Sequence, residues 1–352
     1  MQTDPKKLSA AKQALLAKRL RGVGKKTQPT IPRRAPAVTV PLSFSQQRLW
    51  FLSQLEPDNP FYNIPTALRL TGNLDLAAFQ QALDNIIHRH EILRTGFKTI
   101  DEKPQQIICD RLDLVIERVD LSAQTDREVE VQRLAKAEGK QPFDLERSPL
   151  LRVKLLKLSA QESVLLFTLH HIISDAWSTG IFVRELTYFY SAAVRSEAVN
   201  LPELPIQYAD FAIWQRQQNN RLERQLEYWQ QQFKTIPPVL ALPTDRPRPA
   251  IQTYNGDRCI IELPEPLTAS LKQLGKATDC TLFMVLLASF QVLLHRYSSQ
   301  TDFAIGTPIA NRNQTQTEGL IGVFINTLAL RSDLSGNPTV AELLGRVRDR
   351  TL

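Results

Sequence analysis

Cysteine is almost absent: Cys109, Cys259 and Cys280 stand alone in 352 residues, with no CxxC pair. That excludes the usual zinc spacings and a disulfide framework, and it fits a reducing cytosol. Glycine is also scarce, at 13. No GxGxxG or GxxxxGK[ST] loop occurs, so the common phosphate cradles for nucleotides are excluded. A GxSxG elbow is missing too, and with it the usual Ser–His–Asp hydrolase. No apolar run reaches roughly eighteen residues, so no membrane span is expected. No apolar stretch follows the first charges, so no secretory signal is expected either. A cytoplasmic location follows as an expectation.

A basic surface is lacking where nucleic-acid binding would need one. The formal net charge is +7, but residues 1–40 hold ten Lys or Arg against one acid, Asp4, a net +9. Residues 41–352 hold the other 33 basic and 35 acidic residues, a net −2. The basicity belongs to a short arm, and no nucleic-acid partner is expected. Within that arm, residues 8–21 read as a helix. Ser9 caps it, Leu8, Leu15, Leu16 and Leu20 form a stripe, and Gly22 ends it. A solvated leader and a helix that docks on a partner both fit. From there to Pro41 the chain is rich in Pro, Lys and Arg and reads as a linker.

What is present is an ordinary globular body, 43% hydrophobic and 22% charged, enough to bury a core. Strands are expected at 64–71, 105–109, 113–118, 150–158 and 163–169, the last two as a pair deep in a sheet. Helices are expected at 75–89, 126–138 and 177–194. Pro237, Pro238, Pro243, Pro247 and Pro249 rule out helix or central strand there. The expected organisation is therefore a leader at 1–40, a first lobe at 41–236, a connection at 237–250 and a second lobe at 251–352. In the second lobe, strand 257–263, helices 266–277 and 281–297, strands 302–306 and 322–331 and helix 338–350 are expected. The mixed order implies an α/β (α+β) fold, and the shorter second lobe looks incomplete.

The stretch that can carry chemistry is LLFTLHHIISDAWS, residues 165–178. An apolar strand ends at a His pair, and Asp175 stands where it can orient a turn or cap the next helix. Strand alternation sends His170 and His171 to opposite sides, so one of them enters a given cleft. That opposes a joint His–His–Asp metal site, and no metal is expected. A His at a strand end suits general base work, its ordinary pKa being about 6.5. On this string alone, a buried, hydrogen-bonded His pair is the competing reading.

Four other segments change that balance. LSFSQQRLWFLSQL at 42–55 is similar to SxAQxRLWxL, with Ser45 for Ala. RHEILRTGF at 89–97 is similar to RHExLRTxF, and HHIISDAWS at 170–178 to HHxxxDGWS. YADFAIWQ at 208–215 and IGVFINTLALR at 321–331 complete an ordered set. From about Leu42 onward the chain resembles the condensation domains of nonribosomal peptide synthetases. The resemblance implies two chloramphenicol-acetyltransferase-like lobes in a V shape with a channel between them, the second lobe here lacking its last part.

It further implies a reaction between thioesters carried on the 4′-phosphopantetheine arms of donor and acceptor peptidyl carrier domains. The acceptor amine attacks the donor acyl thioester and an amide forms, with no cofactor bound directly. An adjacent adenylation domain is implied, and the basic leader helix becomes a candidate dock for an upstream subunit. Residue by residue, His171 matches the catalytic second His, either as general base or as a positioning group, and His170 the more structural first His. Asp175 matches an Asp that holds the loop through an ion pair with an Arg. Arg94, or in second place Arg89, matches the partner. Ala176, Trp177, Trp214 and Asn326 match positions near the channel. Ala176 replaces the family's Gly. A methyl group hinders a position of positive φ or close approach, and is tolerated at negative φ. The kept His pair speaks against cyclising forms, the first motif against epimerising forms, and the lack of a second HHxxxxGD copy near the N-terminus against dual forms, so an L-peptidyl donor with an L-aminoacyl acceptor is preferred; a polyketide-derived donor is the other choice. The competing functions are a catalytically silent relative that binds carriers or recruits an enzyme, and a free-standing acyltransferase.

Overall fold

The structure, a computed structural model, describes residues 30–352 except 36, 37, 236, 238, 255 and 258, with backbone only at 219–221. The expected leader helix at 8–21 lies outside the described residues. The chain forms two compact units. The first runs to Asp58, resumes over Asn63–Arg216 and takes back Arg312–Val323; the second comprises Asn59–Tyr62, Gln217–Asn311 and Phe324–Leu352. The units therefore part after Arg216, upstream of the proline-rich stretch expected to divide them.

In the first unit, β1 (Val40–Pro41) leads into α1 (Phe44–Leu55). Ser43 starts that helix with a reciprocal box: its hydroxyl accepts from Gln46 N–H, and Gln46 Oε1 accepts from Ser43 N–H. After β2 (Asn63–Thr71), Asp75 caps α2 (Leu76–Arg89) by accepting from Ala77 and Ala78 N–H. Phe79, Leu83, Ile86 and Ile87, spaced as helix neighbours, are buried. Next come β3 (Thr95–Ile100), β4 (Lys103–Ile108), β5 (Glu117–Asp120) and α3 (Arg127–Lys140). The apolar pair β6 (Leu151–Ser159) and β7 (Glu162–His170) precedes α4 (Ala176–Arg195) and α5 (Tyr208–Arg216).

Two sheets result, in the orders β1-β4-β3 and β2-β7-β6-β5. The second is antiparallel except for β5, which runs parallel to β6. Strand β7 is buried on both faces, which explains its unbroken apolar run. Val164 and Leu166 pack with Val131 and Leu156 in a core that reaches α3. On the other face Phe167 meets Phe182 of α4, ring centroids 5.0 Å apart.

The second unit contains α6 (Asn219–Gln232), α7 (Glu265–Ala277), α8 (Leu282–Ser298), the antiparallel pair β8 (Asp302–Ile309) and β9 (Asn326–Asp333), and α9 (Val340–Thr351). Its core joins Met284, Val285, Phe303, Leu343 and Val347.

Three local expectations fail. Residues 257–263 form no strand among the described residues, and Ile260 and Ile261 are 83% and 78% exposed. Apolar alternation does not supply the ladder partner a strand needs. The strand expected at 113–118 forms instead at 117–120, where β6 offers its edge. The linker before Pro41 is partly structural: Ile31 is 2% exposed, and β1 pairs with β4.

Phe167 is fully buried. Phe167→Ala is expected to cost about 3–5 kcal/mol, seen as a lower urea midpoint with an unchanged slope.

Candidate active site

His170 ends β7 and is buried. Its Nδ1 accepts from Ile172 N–H at 3.1 Å, and its ring stands edge-on to Phe143 with centroids 6.0 Å apart. Burial, helped by His171 and Arg152, pushes its pKa down to about 3. It is neutral at physiological pH, with its Nδ1 lone pair already engaged. His171 lies one residue beyond the strand and is partly exposed. Its Nδ1 is shielded from solvent and has no hydrogen-bond partner among the described residues. Neighbours in sequence thus differ in chemistry: one imidazole is committed and the other is not.

The turn after His171 is fixed by Asp175. Its Oδ1 accepts from Ser178 N–H (2.8 Å), capping α4, and contacts Ser178 Oγ (2.7 Å). Ala176 is the first residue of that helix and is absent from the positive-φ positions. The family's Gly is therefore not needed for backbone conformation here. Trp177 is 49% exposed, and its indole N–H donates to Glu318 O at 3.0 Å. Ala176, Trp177, Gly180, Arg184 and Glu318 line a depression of about 530 Å³ in the first unit.

The ion-pair partner of Asp175 is Arg312, Nη2 to Oδ1 3.2 Å, with side-chain exposures of 2% and 3%. This corrects the assignment to Arg94 or Arg89. Arg94 donates to Cys109 O and lies 4.0 Å from Glu91, and Arg89 lies 3.3 Å from Glu185. Arg312 also donates to Leu320 O (2.8 Å) and to Thr317 O, closing the returning segment 312–323 on itself. Burial pulls the pKa of its guanidinium down from its ordinary value, against the opposing pull of Asp175. Arg312 Nη2 (2.8 Å) and Gly322 N–H (3.0 Å) both donate to Ser178 Oγ. The single hydroxyl proton then serves Asp175 Oδ1 or Gly322 O, 2.8 Å away.

Two further contacts seat the same segment. A Cβ on Gly322 would lie 2.0 Å from the Tyr208 ring, so only Gly fits there. Tyr208 donates to Val323 O at 2.7 Å and meets Ser43 Oγ at 2.8 Å, and burial pushes its hydroxyl pKa up. His90 Nε2 lies 2.8 Å from Glu185 Oε2, and its Nδ1 accepts from Ile321 N–H at 3.4 Å. Burial lowers the pKa of His90, so it acts as a neutral tie. Neither Arg312 nor the seat formed by Tyr208 and Gly322 was singled out from the sequence. The only pointer to Arg312 was its place just upstream of the fifth motif.

Trp214 is 9% exposed and packs on Phe211, ring centroids 6.2 Å apart, inside the first unit. Asn326 is exposed at the start of β9, and its Oδ1 accepts from Thr327 N–H. Among the described residues, no group of three or more His, Cys, Asp or Glu could hold a metal ion.

A family model described as Condensation domain matches residues 37–352. The chain belongs to the condensation-domain family. Condensation domains of nonribosomal peptide synthetases are acyltransferases that form peptide bonds, and their fold is that of chloramphenicol acetyltransferase. A linear gramicidin synthase of Brevibacillus parabrevis is 52% identical over 314 residues, 88% of this chain. The match spans 6% of that relative's length. Among solved structures, the X-domain from teicoplanin biosynthesis in complex with OxyB is 31% identical, with a TM-score of 0.82 over 92% of this chain and 71% of that one. A four-domain nonribosomal peptide synthetase, holo-AB3403 bound to AMP and glycine, gives a TM-score of 0.80 at 26% identity, over 92% of this condensation domain and 25% of that chain.

Asp175→Ala or Arg312→Ala leaves one buried charge unpaired. Each is expected to cost about 3–5 kcal/mol, and the double variant less than the sum of the two, measured as a double-mutant cycle in urea. A soluble, fully stable Asp175→Ala protein would contradict this.

His170 stays neutral when folded and burial lowers the pKa of His90, whereas both take up a proton near 6.5 once unfolded. Stability is therefore complete above that pH. It falls as the pH drops below it, by up to about 1.4 kcal/mol per pH unit for His170 and in the same direction for His90. His170→Asn is expected to lose less stability than the parent between pH 7 and pH 5, measured by urea unfolding at both.

Proposed function

We propose that this condensation domain joins a carrier-bound acyl or peptidyl donor to a carrier-bound aminoacyl acceptor. The observation that supports this best is the contrast between the paired histidines: His170 is neutral and engaged, while His171 keeps Nδ1 without a protein partner among the described residues. The free acceptor amine attacks the donor thioester carbon, the C–N bond forms and the C–S bond breaks. The amine's proton leaves by way of His171, and the donor pantetheine departs as a thiol. An α-ammonium has an ordinary pKa near 8, so one proton transfer during attack is all a near-neutral base need provide. Proximity on the carrier arms supplies much of the remaining rate. Donor and acceptor peptidyl carrier domains are then the partners, with an adenylation domain alongside. The substrates arrive on 4′-phosphopantetheine, and no cofactor is bound directly. An L-peptidyl donor is favoured by the condensation form of the first motif at 42–55 and by the lack of a second HHxxxxGD copy near the N-terminus.

One observation favours a second reading. A solved relative at a TM-score of 0.82 is an X-domain in complex with OxyB, and a partner-recruiting role for this chain would resemble that. In the native synthetase, with both carriers loaded, the dipeptidyl thioester is read by intact mass. The parent is expected to form product, and His171→Ala to lose about 10²-fold or more in rate while keeping its fold. Equal product from His171→Ala, or none from the parent, would sink the catalytic reading and favour recruitment.

A further inference from the structure

The family match begins at residue 37, yet three residues before it, Ile31, Arg33 and Arg34, are tied into the first unit. Ile31 is 2% exposed. Both of its backbone polar groups are taken by one side chain: its N–H donates to Gln316 Oε1 (2.8 Å), and its carbonyl accepts from Gln316 Nε2 (3.1 Å). Arg33 donates from Nε to Pro205 O (2.8 Å) and from Nη2 to Leu204 O (2.7 Å). Arg34 pairs with Glu91 (2.8 Å) and Asp210 (3.0 Å), and its N–H donates to Asp210 Oδ1. Asp210 is 4% exposed, and its second oxygen accepts from Gln207 N–H. The arm is thus anchored on α5, on the loop before it and at Glu91, independently of its grip on Gln316.

Gln316 is the middle residue of a single 3₁₀ turn, Thr315–Thr317. That turn is the only regular element within 312–323, so no helix or ladder of any length fixes this segment. The next residue, Thr317, lends its carbonyl to Arg312, the buried partner of Asp175. A primary amide suits this post because it offers an acceptor and a donor together, matching one backbone residue edge-on.

We propose that Ile31–Arg34 is a strap that grips Gln316, holds the segment 312–323 in place and so positions Arg312 against Asp175 and the His171 turn. Gln316 and Arg34 are positioning residues, and neither touches the reacting atoms. The catalytic arm of the test rests on the condensation reading above; the structural arm does not.

Hydrogen exchange of the full chain tests the strap. Gln316→Leu removes both bonds to Ile31, and Arg34→Gln removes the charge that anchors the arm. Each is expected to speed exchange in 312–323 about tenfold or more, with β6 and β7 amides unchanged. In the native synthetase, kcat for dipeptidyl thioester formation is expected to fall about tenfold with KM for both carriers within about twofold. Arg33→Ala, which frees only two carbonyls, is the milder variant should the others fail to fold, and shifts the same readouts less. Unchanged exchange in 312–323, equal acceleration throughout the first unit, or faster exchange with unaltered kcat would each overturn the strap. A parent that makes no product would overturn the condensation reading alone, and the exchange result would still judge the strap.

Discussion

The buried pair of Asp175 and Arg312 is the constraint on which the site depends. Two charges that are 2–3% exposed must satisfy one another and their remaining hydrogen-bonding capacity, or the fold loses several kcal/mol. Here nearly everything nearby serves that need. Ser178 shares its hydroxyl among Asp175, Arg312 and Gly322, and the carbonyls of Thr317 and Leu320 accept from Arg312 Nη1. The same carboxylate caps α4, so the start of the helix, the His171 turn and the returning segment are fixed by one anion.

Against that rigid frame, the two histidines divide their roles by environment alone. His170 continues a strand buried on both sides, where desolvation keeps it neutral and a backbone N–H occupies its Nδ1. His171 has left the strand, is partly exposed, and its Nδ1 has no hydrogen-bond partner among the described residues. Ala176 fits the same logic: a methyl group at the first position of a helix meets no conformational penalty, so the departure from the family's Gly leaves the backbone intact.

Much of this was legible from residue order because it is local. Period and capping residues located α2, α4 and the β6–β7 pair to within a residue or two, since Asp75, Asp175 and the apolar runs act over one turn or one strand. Arg312 was not legible, because it reaches Asp175 across 137 residues and lies outside the motifs, with only its place upstream of the fifth to mark it. Arg94 and, in second place, Arg89 looked suitable by motif, yet Arg89 at the end of α2 turns to Glu185, and Arg94, in the 3₁₀ turn after it, to Cys109 O. Residues 31–34 looked like a charged linker, because their partners, Gln316, Pro205 and Asp210, lie far along the chain.

The sequence by itself determined the family, the mixed α/β class and the placing of a His pair and an Asp between a strand and a helix, all encoded by short-range pattern. Tertiary structure decided which arginine neutralises Asp175, which histidine is locked, and that the segment 312–323 and the strap before residue 37 belong to the first unit. Those outcomes depend on burial and on long-range pairing of charge and hydrogen bonds, quantities that exist only once distant parts of the chain exclude water together.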